Sequence, residues 1–213
     1  MEYQRETWGD WSASIHDYTS RGLIEQDAAG MSPFKRRLWE MIDPYTYRSR
    51  LALPKLLVHG TNDPYWTVDA SHLYWDDLPG LKYIATFPNV GHGLGDERIR
   101  AYHSIAVFIR HAFSGGDWPE VNWENTTDEK TATDILRARV NAPMKRVKLW
   151  SAVSATKDFR KATWTSSDII TESPENVTAT IKRPATGHIA YYLEFECEIG
   201  GAPFTLTTQV WRR

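Results

Sequence analysis

Two short stretches of the chain hold side chains that can pass a proton between them. The first is GTNDP at residues 60–64 and the second is NVGHG at residues 89–93. A carboxylate that accepts one imidazole N–H fixes the tautomer of the ring. It also stabilises the imidazolium formed when the other nitrogen takes a proton. Asp63 and His92 are therefore the candidate acid and base. Two rival acids lie close by in sequence, Asp69 and Asp76. Asp69 suits a cap on the first turn of a following helix, and Asp76 is placed to pair with His72 one turn away. Tyr65 and Trp66 follow Asp63 directly. They are candidate substrate-binding side chains in a cleft that Trp75 also lines, or else they pack the helix that follows.

These loops need elements that bring them together. The run Lys55, Leu56, Leu57, Val58 closed by Gly60 reads as a buried strand, and residues 82–87 as a second. Between them Ala70, Leu73, Tyr74 and Leu78 give residues 68–78 an apolar helical face, ended by Pro79 and Gly80. Residues 97–113 read as another helix, with Ile99, Tyr102, Ile105, Ala106 and Ile109 on one face. The order strand, loop, helix, strand, loop, helix implies parallel strands with a right-handed crossover. In such sheets functional groups collect where loops leave the carboxyl ends of the strands. Adjacent strands lie about 5 Å apart, close enough for an acid on one loop to meet a histidine on the next. Ahead of this unit, Ser32 caps and Pro33 starts a helix that carries Phe34, Leu38, Trp39 and Ile42, and Pro44 ends it.

Beyond SGGD at residues 114–117 the texture changes to short alternating runs, at 146–153, 162–167, 177–182, 189–199 and 203–212. Turn residues such as Ser173 with Pro174, Pro184, and Gly200 with Gly201 separate them. The expected architecture is α/β for residues 1–116, the C-terminal part of a parallel sheet, followed by a small antiparallel β-sandwich over 117–213.

Composition excludes several classes. The 25 basic and 27 acidic residues leave a formal charge of −2, so no field gathers nucleic acid or an anionic membrane. The single cysteine, Cys197, rules out an intramolecular disulfide and alternates with apolar residues, as a buried thiol does. No apolar run approaches the ~20 residues of a membrane span. The start MEYQRETWGDW lacks the basic and apolar regions of a signal peptide. His103 and His111 sit about 80° apart around one helix, so they do not form a metal pair. No metal and no cofactor is implied. Asn125 and Asn176 head glycosylation sequons, which matter only for a eukaryotic secreted protein. The 10 Trp and 10 Tyr point to a rigid, aromatic-rich core rather than to a sugar-binding surface.

The order acid then histidine is that of the last two members of a hydrolase triad whose serine comes first. Its elbow has the form Gly-x-Ser-x-Gly. The glycines spaced that way are Gly91 and Gly95, and Gly93 stands between them. Ser12, Ser14 and Ser20 precede Asp63, but no strand pattern leads into them. By chain order the nucleophile belongs ahead of Met1.

A family pattern runs through the chain. DPYTYR (43–48), TNDPYW (61–66), LYWDDLPG (73–80), PNVGHGL (88–94), IHDYT (15–19), LWSA (149–152), DFR (158–160), WT (164–165) and FTLTT (204–208) carry it. Together they resemble the PhoPQ-activated pathogenicity-related family, which includes autocrine proliferation repressor-like proteins. The resemblance implies a periplasmic or secreted α/β hydrolase with a trailing sandwich. Asp63 would be its triad acid and His92 its base, acting on a small-molecule or peptide substrate. It also implies that residues 1–213 are the C-terminal part of a longer protein whose N-terminal half completes the site. The alternative it leaves open is a non-catalytic secreted binding or signalling protein.

Overall fold

The computed structural model describes residues 2–23, 32–115, 118–171, 173 and 176–213. The break expected at 114–117 falls partly on Gly116 and Asp117, and one expected turn on Pro174; these lie outside the described residues. Among the described residues three α-helices open the chain: α1 (Glu2–Trp8), α2 (His16–Thr19) and α3 (Pro33–Ile42). In α3, Ser32 accepts from the Lys35 N–H at 3.3 Å and Pro33 occupies the first turn, where its missing N–H leaves no bond unmade.

Strands β1 (Lys55–Gly60) and β2 (Lys82–Phe87) pair in parallel, from Lys55 opposite Lys82 to Gly60 opposite Phe87. The helix expected over 68–78 between them does not form. A short 3-10 turn at Ala70–Leu73 stands there instead. Side chains from outside the segment bond to it. Lys82 Nζ donates to the carbonyls of Trp75 at 2.5 Å and Leu78 at 3.0 Å, and the Gln209 amide donates to Ser71 Oγ at 3.3 Å.

Helix α4 (Arg98–Ser114) follows β2 and ends at Gly115, whose φ of 71° makes the left-handed cap. Its buried face of Ala101, Ser104 and Val107 is turned toward a second layer, where Ser104 Oγ accepts from the Thr205 N–H at 2.9 Å.

That layer is antiparallel throughout. Its strands are β3 (Val121–Asp128), β4 (Thr133–Val140), β5 (Met144–Ser154), β6 (Thr165–Asp168), β7 (Val177–Lys182), β8 (His188–Ile199), β9 (Ala202–Thr207) and β10 (Trp211–Arg212). One sheet has the order β3-β4-β7. The other runs β10-β8-β5-β6, with β9 also paired to β8. Leu136, Ala138 and Val140 point inward from β4, and Tyr191, Leu193 and Phe195 from β8, alternating as period-2 patterning requires. Strand β8 is buried on both faces. Its other face packs Ala190 and Tyr192 against Phe159, Trp164 and Val210.

The fold class expected from sequence is thereby corrected. Parallel pairing is confined to β1 and β2 among the described residues, and the molecule is β-rich, with two antiparallel sheets and few helices. The parallel sheet of a hydrolase needs crossover helices that cover both faces. Here one crossover is irregular, and α4 leads back onto β9 of the antiparallel layer rather than into another parallel strand. The sandwich-like half was legible, though the β3–β4 hairpin was not singled out and the run 203–212 divides into β9 and β10. Among the described residues no helix is long and apolar enough to cross a membrane.

Strand β1 has one neighbour among the described residues, so its other edge presents unpaired backbone groups. Around it stand Leu53, 80% exposed, and Leu51 and Leu81. On the outer side of α4 stand Ile99, Tyr102, Ile109 and Phe113, the last 90% exposed. Such a surface drives association. Residues 1–213 expressed alone are expected to self-associate in light scattering behind a sizing column. Leu53→Glu together with Phe113→Glu is expected to release monomer. A monodisperse wild-type monomer would contradict this.

Candidate active site

The loops after β1 and β2 lie against each other with little room. A Cβ on Gly60 would stand 2.4 Å from the Val90 carbonyl oxygen and 2.6 Å from that of Gly91, so only glycine admits this approach. Backbone bonds lock the two loops: the Thr61 N–H donates to Phe87 O and the Asn62 N–H to Val90 O, both at 3.0 Å. Asp63 and His92 meet across this seam. His92 Nδ1 and Asp63 Oδ2 are 2.9 Å apart, and the other carboxylate oxygen accepts from the Tyr65 N–H at 2.7 Å. The Asp63 side chain is 14% exposed and that of His92 is 62% exposed. A held carboxylate beneath an open imidazole leaves Nε2 available for proton transfer.

Tyr65 stands over the pair, its ring centroid 4.8 Å from that of His92. Trp66 is exposed. Trp75 is not beside them. It stacks on Trp123 at 5.4 Å with the Lys82 ammonium over its ring at 5.1 Å, which is packing.

The rival acids have other partners. Asp69 caps nothing with its side chain. It is buried in a bond with Arg212 Nε at 2.8 Å and accepts from the Tyr3 hydroxyl at 2.6 Å. His72 bonds the Val210 carbonyl at 2.9 Å and stacks on Trp211, so the pair with Asp76 does not form. His59 on β1 also feels the charge of Asp63. Burial of its ring outweighs that attraction and holds it below the ordinary histidine value, which leaves it a poor base. Burial pushes the Cys197 thiol up to about 12, so it is unreactive. His111 packs on Trp118, with ring centroids 5.2 Å apart. Among the described residues no cluster of three His, Cys, Asp or Glu side chains is arranged to hold a metal.

Several contributors went unread in the sequence. Gln4 Nε2 donates to the Tyr65 carbonyl and Ser12 Oγ to that of Pro64, while the Gln4 Oε1 accepts from the Ser12 N–H at 3.0 Å. The N-terminal segment thus straps the acid loop from outside. Arg160 lies over the Trp8 ring at 4.0 Å and continues the strap into the sandwich. Polar side chains among helical residues give no periodic signal, so only the structure reveals this.

Tyr3 anchors the strap. Burial first, and then its bond to Asp69, push the hydroxyl up to about 12. A raised folded value means that the stabilisation is whole below the ordinary tyrosine value near 10 and is lost as pH rises through about 12. The tyrosinate absorbance of the native chain is expected to develop late in alkaline titration. Tyr3→Phe removes one tyrosine's share of that late component, the buried Tyr191 and Tyr192 supplying the rest. Loss of amplitude near the ordinary value of about 10 instead would place Tyr3 in solvent.

A solved structure with some likeness is the crystal structure of a carbohydrate-binding module family 56 β-1,3-glucan binding domain. It is 10% identical, covers 44% of this chain and 98% of its own, and has a TM-score of 0.30. Among curated proteins, autocrine proliferation repressor protein A of Dictyostelium discoideum is 27% identical over 216 residues, covering 92% of this chain and 43% of the relative. The chain therefore spans less than half the length of that relative. The family model of PhoPQ-activated pathogenicity-related protein matches residues 1–160, which include both loops and the strap, and the chain belongs to that family.

Proposed function

We propose that this chain carries the acid and the base of a serine-hydrolase triad that cleaves ester or amide bonds by acyl transfer. The observation that supports the reading is the 2.9 Å contact between His92 Nδ1 and a carboxylate held in place by the Tyr65 N–H. In this mechanism Nδ1–H donates to Asp63, so Nε2 carries the free lone pair. Nε2 takes the proton of a serine hydroxyl as its oxygen adds to the substrate carbonyl. The tetrahedral intermediate collapses as Nε2 returns that proton to the leaving oxygen or nitrogen. Water then repeats the cycle and releases the acid. The serine and the oxyanion donors belong to polypeptide outside residues 1–213. Tyr65 and Trp66 face the substrate, a small ester or a peptide. The protein acts in the periplasm or outside the cell.

A fluorophosphonate probe tests the reading. Residues 1–213 are expected not to label, whereas the longer polypeptide that contains them labels at one serine. Stoichiometric labelling of residues 1–213 would overturn the assignment of the nucleophile. The name of the Dictyostelium relative favours a second reading, a non-catalytic secreted repressor or binding protein. It predicts that the longer polypeptide does not label either.

A further inference from the structure

The acid and the histidine sit on different loops, and a third segment holds both. Residues 159–164, part of the connection from β5 to β6 in the antiparallel layer, run beneath them. Asn62, next to Asp63, donates through Nδ2 to the carbonyls of Ala162 at 2.8 Å and Arg160 at 3.1 Å. Its Oδ1 accepts from the Thr61 hydroxyl at 2.7 Å. The Thr61 oxygen in turn accepts from the Asn89 N–H at 2.8 Å. The Asn89 side chain completes the ring: Nδ2 donates to Trp164 O at 2.9 Å, and Oδ1 accepts from the Trp164 N–H at 2.8 Å. The circuit 162, 62, 61, 89, 164 is closed, because Ala162 and Trp164 are near neighbours in the chain.

Two features mark this circuit as more than loop decoration. Asn89 has a φ of 57°, the left-handed region that asparagine tolerates better than most residues, so its backbone is bent to present the amide to Trp164. The circuit is also sheltered: Thr61 and Trp164 are each 2% exposed, where hydrogen bonds are stronger and polarise one another.

We infer that Asn62, Thr61 and Asn89 are positioning residues that use the β5–β6 connection as a common platform to set Asp63 against His92. The antiparallel layer is then a working part of the site. This rests on Asp63 and His92 being a functional pair, and the test separates the two ideas.

Long-range proton–nitrogen NMR of 15N-labelled residues 1–213, with Leu53→Glu and Phe113→Glu to keep the chain soluble, reads the tautomer of His92. The parent is expected to show the neutral ring as the Nδ1–H form, and Asp63→Asn to abolish that preference. Thr61→Val keeps the side-chain shape and deletes the hydroxyl. Asn89→Gly keeps the backbone bend and deletes the amide. Each is expected to cut the Nδ1–H population at least threefold while the resonances of β8 stay dispersed. Where Asn89→Gly unfolds the chain, Thr61→Val carries the test. Full retention of the Nδ1–H form in Thr61→Val with that form present in the parent would overturn the positioning role. Its absence from the parent would instead overturn the pairing of Asp63 with His92.

Discussion

Replacing His92 by Gln in the polypeptide that supplies the nucleophile is expected to lower turnover of an ester or amide substrate by roughly 10⁴-fold or more. Glutamine holds a similar volume but cannot take a proton at neutral pH, so the hydroxyl would have to attack unassisted. Asp63→Asn is expected to fall by about 10⁴-fold for a different reason. The amide can donate to Nδ1, which selects the tautomer with its proton on Nε2 and blocks the base. The double variant should be little worse than His92→Gln alone, since groups that act as one unit do not lose activity additively. Steady-state hydrolysis of an activated ester, corrected for active-site concentration, checks all three. His92 is largely exposed, and asparagine keeps the shape of Asp63, so neither change should disturb folding. Losses below tenfold would show that the pair is structural.

The second large effect concerns stability and arises at Glu194. This carboxylate is fully buried on β8. It pairs with Arg100 of α4, lies 3.4 Å from Lys148 Nζ, and accepts from Trp150 Nε1 at 3.2 Å. It is the ionic link between α4, which descends from the His92 loop, and the antiparallel layer. Glu194→Leu removes the buried carboxylate that Arg100 and Lys148 share, leaving Arg100 with Glu97 at 3.2 Å and Lys148 with Glu196 at 2.5 Å. Losing charge-assisted bonds in this way costs about 1.5–3 kcal/mol, less than a fully buried pair, because each cation keeps one partner and some contact with water. Adding Arg100→Met and Lys148→Met removes the two partly buried cations and should recover part of the loss, since Glu97 and Glu196 are themselves partly exposed. Urea unfolding of the soluble double-glutamate variant gives both numbers. An effect of Glu194→Leu below about 1 kcal/mol would mean that water reaches the cluster.

What could be read from sequence follows physical lines. Strand β8 was legible because Ile189, Tyr191, Leu193, Phe195 and Cys197 alternate strictly and pack on one face. The β3–β4 hairpin escaped because β3 buries little: Val121, Trp123 and Asn125 are partly covered, and the rest is polar and open. Residues 68–78 look helical because helix and turn can share an apolar spacing. Side chains outside the segment, Lys82 from β2 and Gln209 from far along the chain, bond to the turn that forms instead. Strands β1 and β2 were placed correctly, yet the sheet they belong to was not, since strand order is non-local information. The meeting of Asp63 with His92 was legible because each follows its own strand and each residue type carries recognisable chemistry. Asn62 and Asn89 lay in the same motifs and went unread, because an asparagine in a turn has a local explanation that suffices.

The most direct test of the acid–histidine pair is the nitrogen spectrum of His92 in the soluble form of residues 1–213, taken where the ring is neutral. A protonated Nδ1 and a bare Nε2, both lost in Asp63→Asn, is the expected result. A ring protonated on Nε2, or one averaging freely between tautomers and indifferent to Asp63→Asn, would contradict it.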